Sequence, residues 1–323
     1  MEKGFKALLF VAIVAITAVS CVKGDNPINR PNNSRNQGGV PILGPGWSKV
    51  NTVNNCYDVF FVNDTAGYLA AASGVYRSMD GGLTWALTNA QTKEYYNLYF
   101  LNDKYGWAVS RNAIARTADS GKTWATSNAS FDFSDVFFVD ETTGFAASVQ
   151  GILKSTDAGV TWNLLPGSPA NSSTVYFRDA QNGFFGTSAQ GYYRTTDGGA
   201  TFSRVTGMPN RVYNTQFLKP AEPLSGLAMG DDGKLYKTTD GGSTWTSNQR
   251  FNDNYFDFHF KDMNNGFVMT ANMVYKVEGS TSTKVLYTPI SNDVHYVECH
   301  FTDDLERGWV VYNGGVLYRY VKP

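Results

Sequence analysis

The chain has 323 residues with 27 basic and 28 acidic side chains. That balance excludes the basic face that nucleic acid selects and any broad attraction to anionic lipid. Aromatic residues make up 15% of the chain and glycines number 32, a mixture that favours short strands and tight turns over helices.

Lys3 and Lys6 precede an apolar run over 7–20 that is too short to cross a bilayer, so residues 1–20 are expected to be a signal peptide. The run closes on AVSC, and the small residues before Cys21 resemble the lipobox of bacterial lipoproteins. That resemblance implies cleavage before Cys21 and lipid on its thiol. It places the protein in the bacterial cell envelope, anchored to the outer membrane and touching the membrane only through its lipid. Residues 21–45 are dominated by Pro, Asn and Gly without any period and are expected to form a flexible tether.

From residue 46 onward the chain repeats. SMDGGLTW (78–85), TADSGKTW (117–124), STDAGVTW (155–162), TTDGGATF (195–202) and TTDGGSTW (238–245) place Asp80, Asp119, Asp157, Asp197 and Asp240 at steps of 39, 38, 40 and 43 residues. A period near forty with several strand-like runs fits one four-stranded propeller blade. A second signature, a phenylalanine, a polar turn, then glycine and a bulky residue, occurs seven times, from FVNDTAGY (61–68) to FTDDLERGW (301–309). Each marks the hairpin joining the two innermost strands of a blade.

The seventh copy stops at Pro323 without an outer strand, whereas GPGWSKVNT (44–52) supplies an outer strand with no blade of its own. The fold is therefore expected to be all-β: a single seven-bladed β-propeller over 46–323, its N- and C-terminal strands sharing the last blade. Closure removes the exposed sheet edges.

The eight-residue phrase is similar to the Asp-box, or bacterial neuraminidase repeat. The whole pattern from Trp47 onward resembles the photosystem II stability and assembly factor family and its non-photosynthetic bacterial relatives. The resemblance implies an assembly or scaffolding role. Chemistry agrees: five near-identical acids suit a turn-bracing task done once per blade, with the carboxylate accepting amide donors of the turn. The second glycine of each phrase is invariant within the chain and is expected at positive φ, while the first position is freer. One base per blade (Arg77, Arg116, Lys154, Arg194, Lys237, Lys276 and Arg319) precedes each box or its remnant, and local pairing is the expected role.

Three residues before each blade's phenylalanine stand Asp58, Asn97, Asp135, Thr174, Asn214, Asp257 and Glu298, a polar ring in otherwise apolar inner strands. The loops leading from one blade into the next carry Tyr95, Tyr96, Phe133, Arg211, Tyr255 and Tyr296, and aromatic and arginine anchors of this kind suit a recognition surface. These two sets are the binding candidates, for a protein or glycan partner. His259 and His300 bring zinc-type donors near Asp257 and Glu298, but neighbouring inner strands are widely spaced for one metal. Cys56 and Cys299 lie on touching blades at different heights, which disfavours a bridge.

The alternative is a glycoside hydrolase of the sialidase or xyloglucanase type. The Arg-Ile-Pro signature and arginine triad of sialidases are absent, and the endoglucanase relatives use two propellers where this chain has one. No nucleotide loop or His-Glu metal helix occurs, so no catalytic residue, cofactor or metal is expected and a non-catalytic binding scaffold is favoured.

Overall fold

Glycine stands first or second in the second strand of every blade because the phenylalanine at the end of the first strand folds back over it. A Cβ on Gly106 would sit 2.3 Å from the Phe100 ring, and one on Gly67 would sit 2.4 Å from Phe61. The bulky residue after that glycine turns the other way and stacks on the phenylalanine of the next blade. Trp309 lies 3.5 Å from Phe61, Trp107 3.5 Å from Phe138, Phe145 3.5 Å from Phe177 and Tyr68 4.0 Å from Phe100, each pair nearly parallel. The repeated signature thus encodes the packing of one sheet on its neighbour.

A computed structural model describes residues 41–50, 53–88, 93–218, 222–251, 255–288, 297–312 and 315–323. The leader, Cys21 and Tyr296 lie outside the described residues. Seven antiparallel sheets form the ring, six of four strands and one of five. The first blade comprises Cys56–Phe61, Gly67–Ala71, Gly74–Ser78 and Ala86–Leu87, from the axis outward. The second strand of each blade is buried almost throughout, whereas the innermost strand alternates, one face toward the channel and the other toward the seam.

Trp47–Val50 completes the seventh blade as its outer strand, with Trp47 opposite Tyr320 and Val50 opposite Leu317. Gly46, at φ +82, makes the bend into this strand, and its carbonyl accepts the Val321 amide at 2.9 Å. The Trp47 indole is buried against Tyr320, Phe267 and Phe301.

One expectation is corrected here. Ile42–Leu43, assigned to the tether by composition, instead adds a fifth strand to the sixth blade, with Leu43 opposite Leu286. Gly44 continues that ladder, its amide donating to the Val285 carbonyl at 2.9 Å. The N-terminal segment therefore grips two adjacent blades.

Candidate binding rims and channel

The five box carboxylates are engaged by their own turns. Asp119 accepts the Thr117 hydroxyl at 2.9 Å, the Thr123 amide at 2.8 Å and the Thr123 hydroxyl at 2.6 Å, while the Thr117 oxygen accepts the Gly121 amide at 2.9 Å. Asp80, Asp157, Asp197 and Asp240 repeat this arrangement. Hydrogen bonds from the threonine hydroxyl and amide pull Asp80, Asp119, Asp197 and Asp240 down to about 2.

The second glycine of each box has positive φ, and so does the first position even where it is Ser120 or Ala158, both at +63. A Cβ at the second position would stand 2.5 Å from the Tyr68 ring at Gly121, 2.5 Å from Leu165 at Gly199 and 2.3 Å from the Phe184 ring at Gly242, but no nearer than 3.0 and 3.2 Å to any neighbour at Gly82 and Gly159. Ser120 and Ala158 occupy the first position at the modest cost of a left-handed conformation.

Three of the bases reach across seams rather than to their own boxes, whereas Lys276 pairs with Glu278 of its own blade at 2.8 Å. Lys154 donates to the Gly198 carbonyl of the fourth blade at 3.3 Å, Arg194 to Ser243 of the fifth at 3.1 Å, and Lys237 to the Met263 carbonyl of the sixth. These are blades whose bulky second-strand residue (Phe145, Phe184 or Leu227) has no donor. Where that residue is Tyr68, Trp107 or Trp309, it makes the link itself, to the carbonyls of Ser120, Ala158 and Gly81 at 2.8, 2.9 and 2.9 Å.

The polar ring of the channel is likewise a set of seam brackets. Asp58 accepts the amide of Val59 on its own strand and that of Leu98 on the next blade, both at 2.6 Å. Asp135 spans Val136 and Val175 at 2.8 and 2.9 Å, and Asp257 spans Phe258 and Cys299 at the same two distances. The Asn97 amide bonds Asp135, and the Asn214 amide donates to Asp257.

One step deeper, the Tyr99 hydroxyl donates to the Phe138 carbonyl at 2.8 Å and Tyr176 to Phe217 at 3.4 Å. Gln216 pairs with both backbone groups of Phe260, and the His300 ring bonds the Phe61 carbonyl. The two layers together bridge all seven seams. The deeper layer is a nearly continuous belt of rings: His300 to Phe60 at 4.5 Å, Tyr99 to Phe137 at 4.8 Å and Phe137 to Tyr176 at 4.9 Å.

Burial holds both imidazoles neutral, lowering His259 to about 4 and His300 to about 3. Among the described residues no group of three metal-type donors occurs, and Cys56 and Cys299 are not bridged.

Of the rim candidates, Tyr95 and Phe133 are buried in blade cores and offer no recognition surface. Tyr96 is half-buried, its hydroxyl bonded to the Phe133 carbonyl. Arg211 is partly exposed, its guanidinium 4.8 Å from the Tyr213 ring. The backbone of Tyr255 pairs with Thr270. At the rim near Tyr96, the Tyr57 hydroxyl donates to Glu94 at 2.6 Å, a pair the sequence reading overlooked.

The opposite mouth holds a cavity of about 350 Å³ where the second, third and fourth blades meet, lined by Tyr99, Leu101, Phe137, Val139, Asp140 and Arg178. Its sequence signal was Arg178, which follows the repeat phenylalanine where Val62, Leu101, Val139 and Leu218 stand in other blades.

No family model matches the chain, and neither does any curated protein. Among solved structures, one described as YCF48 bound to D1 peptide superposes with a TM-score of 0.66 at 15% identity, over 86% of this chain and 97% of the other. The fold resembles that of YCF48. YCF48 from Cyanidioschyzon merolae gives 0.65 at 17% identity, over 85% and 98%. A GH74 enzyme from Niastella koreensis gives 0.66 at 16% identity over 84% of this chain, which spans only 53% of that enzyme. At these identities the likeness shows the fold alone.

Proposed function

We infer that the chain is a non-catalytic binding scaffold, held in the bacterial cell envelope by lipid on Cys21 and presenting a loop-built rim to a protein partner. The observation that carries this reading is where the reactive-looking groups are spent. Each box acid is saturated by its own turn, and the channel acids bracket neighbouring strands. A glycoside hydrolase of the xyloglucanase type needs two carboxyl groups free to face a substrate bond. A propeller of similar shape holds a D1 peptide, which supports a protein segment as the partner class. Tyr96, Arg211, Tyr255 and Tyr296 are the rim residues assigned to it.

Capture from envelope extracts with wild type, Arg211→Ala and Tyr296→Ala tests the rim. Loss of the captured protein in both variants is expected, and equal capture by all three removes the rim from consideration. Incubation with xyloglucan and with a sialoside tests the rest, because turnover of either overturns the non-catalytic reading. Cys21→Ser is expected to move the protein from the membrane to the soluble fraction; retention at the membrane refutes the anchor.

A further inference from the structure

The acids around the cavity at the box-bearing mouth are engaged by their own turns. Asp140 accepts the amides of Thr142 and Thr143 and the Thr142 hydroxyl at 2.8, 2.7 and 2.8 Å. Asp179 accepts the amides of Gln181 and Asn182, both at 2.9 Å, and the Asn182 side chain. Arg178, the base of the cavity wall, is not used up in this way. Its Nε donates to Asp179 at 3.3 Å, and among the described residues neither Nη has a hydrogen-bond acceptor.

The guanidinium is nevertheless held in place. The side chain is only 17% exposed, the guanidinium carbon lies 5.9 Å from the Phe217 ring, and Nη1 rests on Gly241, where a Cβ would come within 2.3 Å of it. Leu101, Val139 and Leu218 occupy the same repeat position in neighbouring blades, so the fold does not require a base there. What arginine adds is a fixed, largely desolvated fork with two donor groups to spare. Beside it the wall is aromatic and aliphatic: the Tyr99 and Phe137 rings stand 4.8 Å apart at 45°, next to Leu101 and Val139. The volume, about 350 Å³, is that of a small-ligand site.

We propose that this cavity binds an acidic sugar, a uronate unit of a glycan, with Arg178 taking its carboxylate through Nη1 and Nη2 and the ring lying against Tyr99 and Phe137. The exposed Asp140 and Asp179 discriminate against a purely apolar acid. Such a body would strip water from two carboxylates and return nothing, whereas sugar hydroxyls donate to their remaining lone pairs. Lys261 follows the repeat phenylalanine of the sixth blade as Arg178 follows that of the fourth, and no blade has an acid at this position. A polyuronate, charged at every unit, therefore meets a second base at the same mouth. The site faces away from the loop rim, so its fate is separate from that of the protein partner assigned to Arg211.

The test is calorimetric titration of the full chain with trigalacturonate at low salt. Its neutral methyl ester and an apolar peptide with a free C-terminal carboxylate are titrated alongside. Wild type is expected to bind one trimer per chain, and to bind the ester about tenfold more weakly or worse. Arg178→Leu copies the residue of the second and fifth blades and so keeps the fold; it is expected to weaken trimer binding by about tenfold or more. Phe137→Leu is expected to weaken it as well, through the lost ring contact. No trimer binding by wild type, or equal binding by wild type and Arg178→Leu, overturns the site. Ester binding as tight as that of the trimer removes the guanidinium from recognition. Peptide binding that depends on Arg178, without trimer binding, overturns the sugar and gives the cavity to a protein carboxylate.

Discussion

Replacing Trp47 with alanine probes ring closure directly. The indole is 6% exposed and packs against Tyr320, Phe267 and Phe301 at centroid distances of 5.2, 6.3 and 6.3 Å. Burying about 200 Å² of aromatic surface at about 25 cal/mol per Å² is worth roughly 5 kcal/mol. That figure is an upper bound because the unfolded chain already hides part of its surface. The buried Trp47 Nε1 also lacks a hydrogen-bond partner among the described residues, which costs the folded state about 1 kcal/mol.

A net loss of about 3–4 kcal/mol is therefore expected for Trp47→Ala, in the usual range for such truncations. In a ring of this size that corresponds to a midpoint lowered by about 10 °C. Urea unfolding gives the energy, and hydrogen exchange locates it, with faster exchange expected along Val316–Val321, the strand that Trp47–Val50 pairs with. A loss under about 1 kcal/mol, with exchange along that strand unchanged, refutes the claim that the two chain ends jointly finish the last blade.

The box acids carry a pH prediction of their own. Their folded values lie below the ordinary one, so the stability they contribute is present above about pH 4 and vanishes as pH falls through about 2. Because they lie near the surface, Asp119→Asn is expected to cost under about 1 kcal/mol at pH 7 and to lessen the acid-induced loss, read from unfolding midpoints between pH 2 and 5. Gly121→Ala, at φ +72 and facing the Tyr68 ring, is expected to lose about 2–3 kcal/mol in urea titrations. Ala158→Gly, at φ +63, should stay within about 0.5 kcal/mol of wild type. Trp309→Phe keeps the stack on Phe61 but deletes the bond to the Gly81 carbonyl, for an expected loss of about 1–2 kcal/mol by the same measurement.

Much of the architecture was legible because its determinants recur. Seven phenylalanine–glycine pairs announced seven blades, and the surplus tryptophan at position 47 announced a shared seventh sheet. Ile42–Leu43 escaped notice because two apolar residues among Pro and Gly carry no period. Tyr95 and Tyr96 are adjacent in a loop-like stretch, and sequence alone could not tell which would turn into the core. The roles of Asp58, Asp135 and Asp257 were out of reach for a different reason: each bonds an amide about forty residues away, and that register exists only once neighbouring blades have packed. The switch between Trp and Lys or Arg as the seam donor was written in the sequence, visible only by comparing two strands of each repeat.

The short pairing of Ile42–Leu43 with the sixth blade has a mechanical consequence. A tensile load arriving through the chain ahead of Ile42 meets that two-residue ladder and the Gly44 bond before it reaches Trp47. The outer ladder can part and reform while the closing strand stays seated, so the propeller has a sacrificial link between any pull on its N-terminus and the join that keeps it circular.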